Sequence, residues 1–178
     1  MSNNKLFQIA GWCALVTGLA MLAFHVVPGG VPAVVGLILT VVTLVGLTIV
    51  FYALYVAHRA ESARLSLAGL ILWLLVCVLN LFVLVTNNVT TFLSNLGSLL
   101  WALPFLIFGF LAWRSARMPR GVAVLALLAG AVALILGIAG FMGSAGIVDS
   151  GNLVLDILML AWIVWLGIVF LSKKFAAA

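Results

Sequence analysis

Residues 149–174 read DSGNLVLDILMLAWIVWLGIVFLSKK. From Asn152 to Leu171 this stretch holds a single charged residue, Asp156. At a rise of ~1.5 Å per residue, a helix of that length crosses a hydrocarbon core ~30 Å thick. Lipid offers no partner to an open peptide group, so a helix is the conformation that survives there. Asp156 then lies about one turn inside the outer end of the span. Holding an ionisable group at membrane depth is expensive, which makes Asp156 a candidate functional residue. Asp149 and Asp156 are two of only three acidic residues in the chain.

Five further apolar runs of spanning length precede this one. They cover about residues 7–27, 33–57, 65–86, 92–113 and 121–142, and the last covers 152–171. Pro28-Gly29-Gly30 closes the first run, and Asn87-Asn88-Val89-Thr90-Thr91 separates the third from the fourth. GSAGIVDSGN leads into the sixth. The second run is rich in Val, Ile and Thr, which favours strand in water, but an unbroken apolar segment in lipid must satisfy its own backbone. Pro104 lacks the N–H that would reach the Leu100 carbonyl, so a kink is expected in the fourth helix.

Of 178 residues, 67% are hydrophobic and 6% are charged. A soluble domain carries about a quarter of its residues as charges, so the soluble class is excluded. The expected fold is all-α: a polytopic transmembrane six-helix bundle, residues 1–178 forming a single domain of three helical hairpins. Lys5, Arg59, Arg64, Arg114, Arg117, Arg120, Lys173 and Lys174 all fall on one side of these spans. By the positive-inside rule both termini are cytoplasmic. The same placement turns the net charge of +5 away from nucleic acid and toward the membrane surface.

Small residues allow helices to approach closely in lipid. Ala10, Ala14 and Gly18 form one such ridge, and Ala129, Ala133 and Gly137 another; either suits an internal contact or a homodimer seam. Trp12 and Trp113 sit where interfacial aromatics gather. Trp162 and Trp165, near the middle of the last span, suit core or lipid-facing bulk, or the wall of a lipid-tail site.

The polar residues of the spans collect toward the end opposite the basic one. Counting along the helices puts Asp156 and Asn80 at matching depth, with Asn95, Ser98, Asn152 and His25 at or beyond it. Asn152 and Asp156 are four apart and share a helix face. Asp156, Asn80, Asn152 and Asn95 are therefore the candidate ligand-binding residues, with Asn80 the expected contact of Asp156. The competing reading is structural: Asp149 or Ser150 caps the last helix, Asp156 lies in its N-terminal field, and Asn80 satisfies it.

No lysine inside a span is available for a Schiff base. His25 and His58 fall near opposite faces, against a bis-His haem, and no metal-ligand spacing occurs. Cys13 and Cys77 read as small hydrophobes. In Gly143-Ser144-Ala145-Gly146 the serine is out of place for a rhomboid-type GxSG, and no histidine is placed to activate it. Neither an enzyme nor a cofactor is expected. The three-hairpin layout, with Trp162-Ile163-Val164-Trp165-Leu166-Gly167 near the end of the last helix, resembles uncharacterised six-helix bacterial membrane protein families. It is loosely similar to the acid-resistance membrane proteins built from helical hairpins. The resemblance implies an inner-membrane protein and transfers no functional residue. The expected role is an accessory or interaction subunit whose partners are membrane lipids and either a protein partner or a second copy. The alternative is a small transporter or channel component with an outward-facing polar pocket around Asp156.

Overall fold

The computed structural model describes residues 3–26, 32–86 and 90–172. The Pro28-Gly29-Gly30 turn, Asn87, Asn88 and Val89 of the connection after the third run, and Lys173 and Lys174 lie outside the described residues. Six helices occur among the described residues, and no strand: α1 (Asn3–Val26), α2 (Ala33–His58), α3 (Ala63–Thr86), α4 (Thr91–Arg114), α5 (Arg120–Phe141) and α6 (Ala145–Leu171). All six are long and apolar enough to cross a membrane. The β-branched α2 is helical, as the backbone argument requires. Two of its threonine hydroxyls are absorbed along the helix, Thr40 donating to the Gly36 carbonyl (2.9 Å) and Thr48 to that of Leu44 (2.7 Å), while the buried Thr43 hydroxyl has no partner among the described residues. Helix α4 continues through the buried Pro104.

The start of α6 corrects the sequence reading by seven residues. GSAGIVDSGN looks like a long connection, yet Ala145 to Asn152 are helical. The reversal from α5 is completed within Met142–Ser144. Gly143, with φ of 73°, donates to the Gly140 carbonyl (3.1 Å), and Ser144 donates to that of Ala139 (2.9 Å). This is the Schellman arrangement, in which one left-handed residue turns the chain and satisfies the last carbonyls. Only Gly143 needs the glycine conformation. Gly151 instead serves packing, since a Cβ there would run into the Leu136 side chain. Asp149 and Ser150 therefore lie inside α6 and cannot cap it. Asp156 is about three turns from the helix start, beyond the reach of an N-terminal field that fades within the first turn.

The chain divides into two compact units, residues 1–54 with 160–178, and residues 55–159. In the first, α1 lies antiparallel to the second half of α6. A Cβ on Gly11 would sit 3.0 Å from the Gly167 carbonyl oxygen, and one on Gly167 would sit 3.1 Å from that of Gly11. Ala10, Ala14 and Gly18 are buried on this side, so their ridge is an internal seam. Phe7 meets Phe170 at 5.5 Å between ring centroids, and Phe51 meets Trp162 at 6.0 Å. Trp162 is thus core, whereas Trp165 is exposed.

In the second unit, α4 packs antiparallel to α5 and less extensively on α3. Four glycines set the α4–α5 distance. A Cβ on Gly109 would meet Leu127, one on Gly130 would meet Leu106, one on Gly137 would meet Leu99, and one on Gly140 would meet Asn95. Ala129, Ala133 and Gly137 are buried in this seam. Between α3 and α4, Trp73 meets the edge of Trp101 at 5.2 Å, and Trp101 stacks on Phe105. Because the helices alternate, the unit has two chemically distinct ends.

Candidate functional site

At one end the N-terminus of α4 meets the α5–α6 turn, and a cavity of about 470 Å³ opens between them. Its polar wall comprises Thr90, Thr91, Ser94, Asn95, Ser144 and Asp149, and no basic residue lines it among the described residues. Each part has a local cause. Thr90 caps α4, its Oγ1 accepting from the Leu93 N–H at 3.2 Å. Ser144 is placed by the Schellman turn. Asp149 comes to the cavity because α6 begins early. With 27 residues α6 is ~40 Å long, which exceeds a core of ~30 Å.

Asn95 is the best-defined group of this wall. Its amide lies against the backbone of Gly140, where any Cβ would displace it. It is half-buried, yet its side chain makes no hydrogen bond to protein among the described residues. An amide held in place beside open space, with no protein partner among the described residues, has donors and an acceptor that it can offer to a ligand. The volume falls within the range of small-molecule pockets, ~300–1,000 Å³. One carboxylate, one amide and several hydroxyls can hold a small solute that offers hydroxyl or ammonium groups.

Of the sequence-derived candidates, Asn95 and Asn80 line different cavities. Asn95 lines the large cavity. Asn80 lines a smaller one of about 220 Å³ with Leu79, Gly97 and Trp101, and Ser94 borders both cavities. The Asn80 amide donates to the Val76 carbonyl in its own helix (2.9 Å). Asp156 is half-buried on α6 and Asn152 is exposed there; neither lines these two cavities. Asp149, considered only as a cap, is the carboxylate that lines the larger one.

The opposite end carries a polar network between the α2–α3 turn and the end of α4. His58, the last residue of α2, is 1% exposed. Its Nδ1 lies 3.1 Å from Oε2 of Glu61, and Ser115 Oγ, just past α4, donates to Oε1 of the same carboxylate at 2.6 Å. A lone pair on Nδ1 would repel the carboxylate, so Nδ1 carries the proton and donates. His58 Nε2 is buried and has no hydrogen-bond partner. Burial pushes the Glu61 carboxyl up, but the hydrogen bonds from Ser115 and His58 and the nearby Arg117 charge outweigh it and hold it below the ordinary carboxylate value. The Arg117 backbone N–H donates in turn to Ser115 Oγ (3.3 Å). This is a clasp: Glu61 joins the α2–α3 turn to the end of α4. Glu61 as the lone acid among the basic connections was the available signal; that its partner is Ser115 was not.

No protein-family model, curated protein or solved structure matches the chain. The six apolar helices are compatible with an integral membrane protein, and any finer role rests on the geometry of these two ends.

Proposed function

We propose that the chain is a non-enzymatic accessory protein of a bacterial inner membrane that recognises a small polar solute at its Asn95–Asp149 end. The observation that carries this reading is the cavity, whose wall holds both Asp149 and an Asn95 amide without a protein partner among the described residues. The buried residues favour recognition over conduction. Among the described residues the buried set, apart from Thr17, His58, Ser66 and Ser115, is apolar or glycine, and it provides no file of polar groups along the helices. A channel or transporter component, the alternative, needs such a file. The segregation of lysine and arginine supports cytoplasmic termini and a cavity facing outward. Both small-residue ridges are occupied by internal seams, so partnership with another protein or a second copy would use other surfaces.

Ethanolamine is a minimal probe, offering an ammonium group to Asp149 and a hydroxyl to Asn95. It should raise the thermal unfolding midpoint of the purified protein in detergent at millimolar concentration, and Asp149→Asn should abolish the rise. An equal rise in the Asp149→Asn variant would remove the cavity from the reading. Stoichiometric co-purification of a second protein, with no response to the probe, would leave only the accessory role.

A further inference from the structure

The basic end carries three arginines around one short connection. Arg114 closes α4, Arg117 lies in the turn, and Arg120 opens α5. Two of these guanidinium groups are held on aromatic faces. Arg114 lies over the Phe110 ring at 5.6 Å from its centroid, and Arg120 reaches back over the Trp113 ring at 6.0 Å. Phe110 and Trp113 are three residues apart, so they are neighbours on one flank of α4, with Cβ atoms ~5–6 Å apart. They are 46% and 49% exposed, which places that flank at the surface. The charges that cover the two rings are gathered side by side with them.

Like charges brought together in this way repel unless something negative lies between them. Among the described residues none of the three arginines forms an ion pair with a carboxylate. Glu61, the acid nearest this turn, has its two oxygens engaged by His58 and Ser115. The connection is also fixed in shape. Ser115 caps α4, its Oγ is tied to Glu61, and the Arg117 N–H is tied to that Oγ. Guanidinium groups match phosphate oxygens in a planar, two-point geometry, and ring stacking removes much of their freedom before binding.

We propose that Arg114, Arg117 and Arg120, set on Phe110 and Trp113, form a binding site for the phosphate of an anionic phospholipid headgroup. The half-exposed rings sit beside the acyl-chain glycerol region, and the arginines reach the headgroup. The site is independent of the cavity at the other end. It differs from general attraction of basic loops to an acidic membrane because two of its charges are positioned by aromatic rings.

Phosphatidylglycerol titrated into the full-length protein in neutral detergent should raise the unfolding midpoint saturably, while phosphatidylcholine should not. Each arginine contributes roughly a fivefold factor in affinity at a membrane surface, so Arg114→Gln with Arg120→Gln should weaken the response about 25-fold. Phe110→Leu with Trp113→Leu keeps every charge and should still weaken it several-fold. Arg59→Gln with Arg64→Gln, a charge-matched change at other basic positions, should leave the affinity within about twofold. The proposal is overturned if that control weakens binding as much as the Arg114 and Arg120 pair. It is also overturned if inorganic phosphate alone reproduces the shift, or if phosphatidylcholine does. Should the paired arginine variant not fold, the ring variant decides, and full retention of phosphatidylglycerol affinity there overturns the proposal.

Discussion

The two ends of the 55–159 unit are built from similar polar side chains and put them to opposite use. At the basic end both Glu61 oxygens are engaged, by His58 Nδ1 and Ser115 Oγ, and of the trio's buried polar atoms His58 Nε2 alone is left without a partner among the described residues. At the other end Asn95, Ser144 and Asp149 surround open space, and Asn95 forms no bond to protein among the described residues. A closed network adds stability and joins segments. An open one adds little stability and leaves donors and acceptors for something else. Polarity inside a membrane bundle therefore does not mark a site by itself; unsatisfied polarity beside a cavity does.

The largest effect should come from the seam that carries both ends. A Cβ on Gly137 would sit 2.7 Å from Leu99 side-chain atoms and 3.1 Å from the Leu99 backbone nitrogen. Backbone cannot step aside as a flexible side chain can. Gly137→Leu should destabilise the protein by about 3 kcal/mol, the upper part of the range for overpacking. Gly146→Leu, where a Cβ meets nothing within 4 Å, should leave stability nearly unchanged. Unfolding in mixed detergent micelles measures both. Equal stability of the two variants would mean that α4 and α5 separate easily, and the contrast between their ends would lose its common frame.

Six helices were legible in the sequence because lipid leaves a long apolar run no other conformation. The ridges were legible for a related reason, since small residues at i, i+4 and i+8 have few uses other than close approach. Their partners were not. That Gly137 meets Leu99 depends on the α4–α5 register, and nothing in either helix alone encodes it. The start of α6 was misread because three glycines in ten residues resemble a loop, although only Gly143 takes a left-handed turn. That error placed Asp156 one turn from the helix start and left Asp149 in a loop, and so drew attention from the carboxylate that lines the cavity. The clasp was illegible because Ser115 and Glu61 are 54 residues apart and meet only through tertiary packing. Asn95 was singled out by depth, and its place in the cavity wall depends on Gly140, which admits its amide.

A smaller effect sharpens the closed side of the comparison. Glu61 has a carboxyl value held below normal in the folded protein. Such a group contributes its full stabilisation above the unfolded value, near 4.5, and loses it as pH falls through the lower folded value. Ser115→Ala removes the 2.6 Å hydrogen bond and leaves His58 as the remaining donor. It should cost about 1 kcal/mol at neutral pH. It should also move the acid limb of the stability profile to higher pH, toward the ordinary glutamate value. Thermal unfolding between pH 3 and 7 reports both quantities. An unchanged acid limb would mean that Ser115 does not hold Glu61 in its charged form.

The smallest effect on stability belongs to Asn95, and it separates the two ends most sharply. Deleting one partner of a buried hydrogen bond is costly because the other is left unsatisfied. Asn95→Ala deletes no protein partner, since its amide has none among the described residues. The variant also relieves the tight approach of the amide to Gly140. Its unfolding midpoint should therefore correspond to a change within about 0.5 kcal/mol, the range of an ordinary surface substitution. Its response to ethanolamine should nevertheless fall, because the hydroxyl of the probe loses the amide that would hold it. A structural asparagine behaves the other way, with stability dropping by 1 kcal/mol or more. If Asn95→Ala unfolds early and still responds to the probe, the two ends are the same kind of device, and the cavity is a packing defect between α4 and α6.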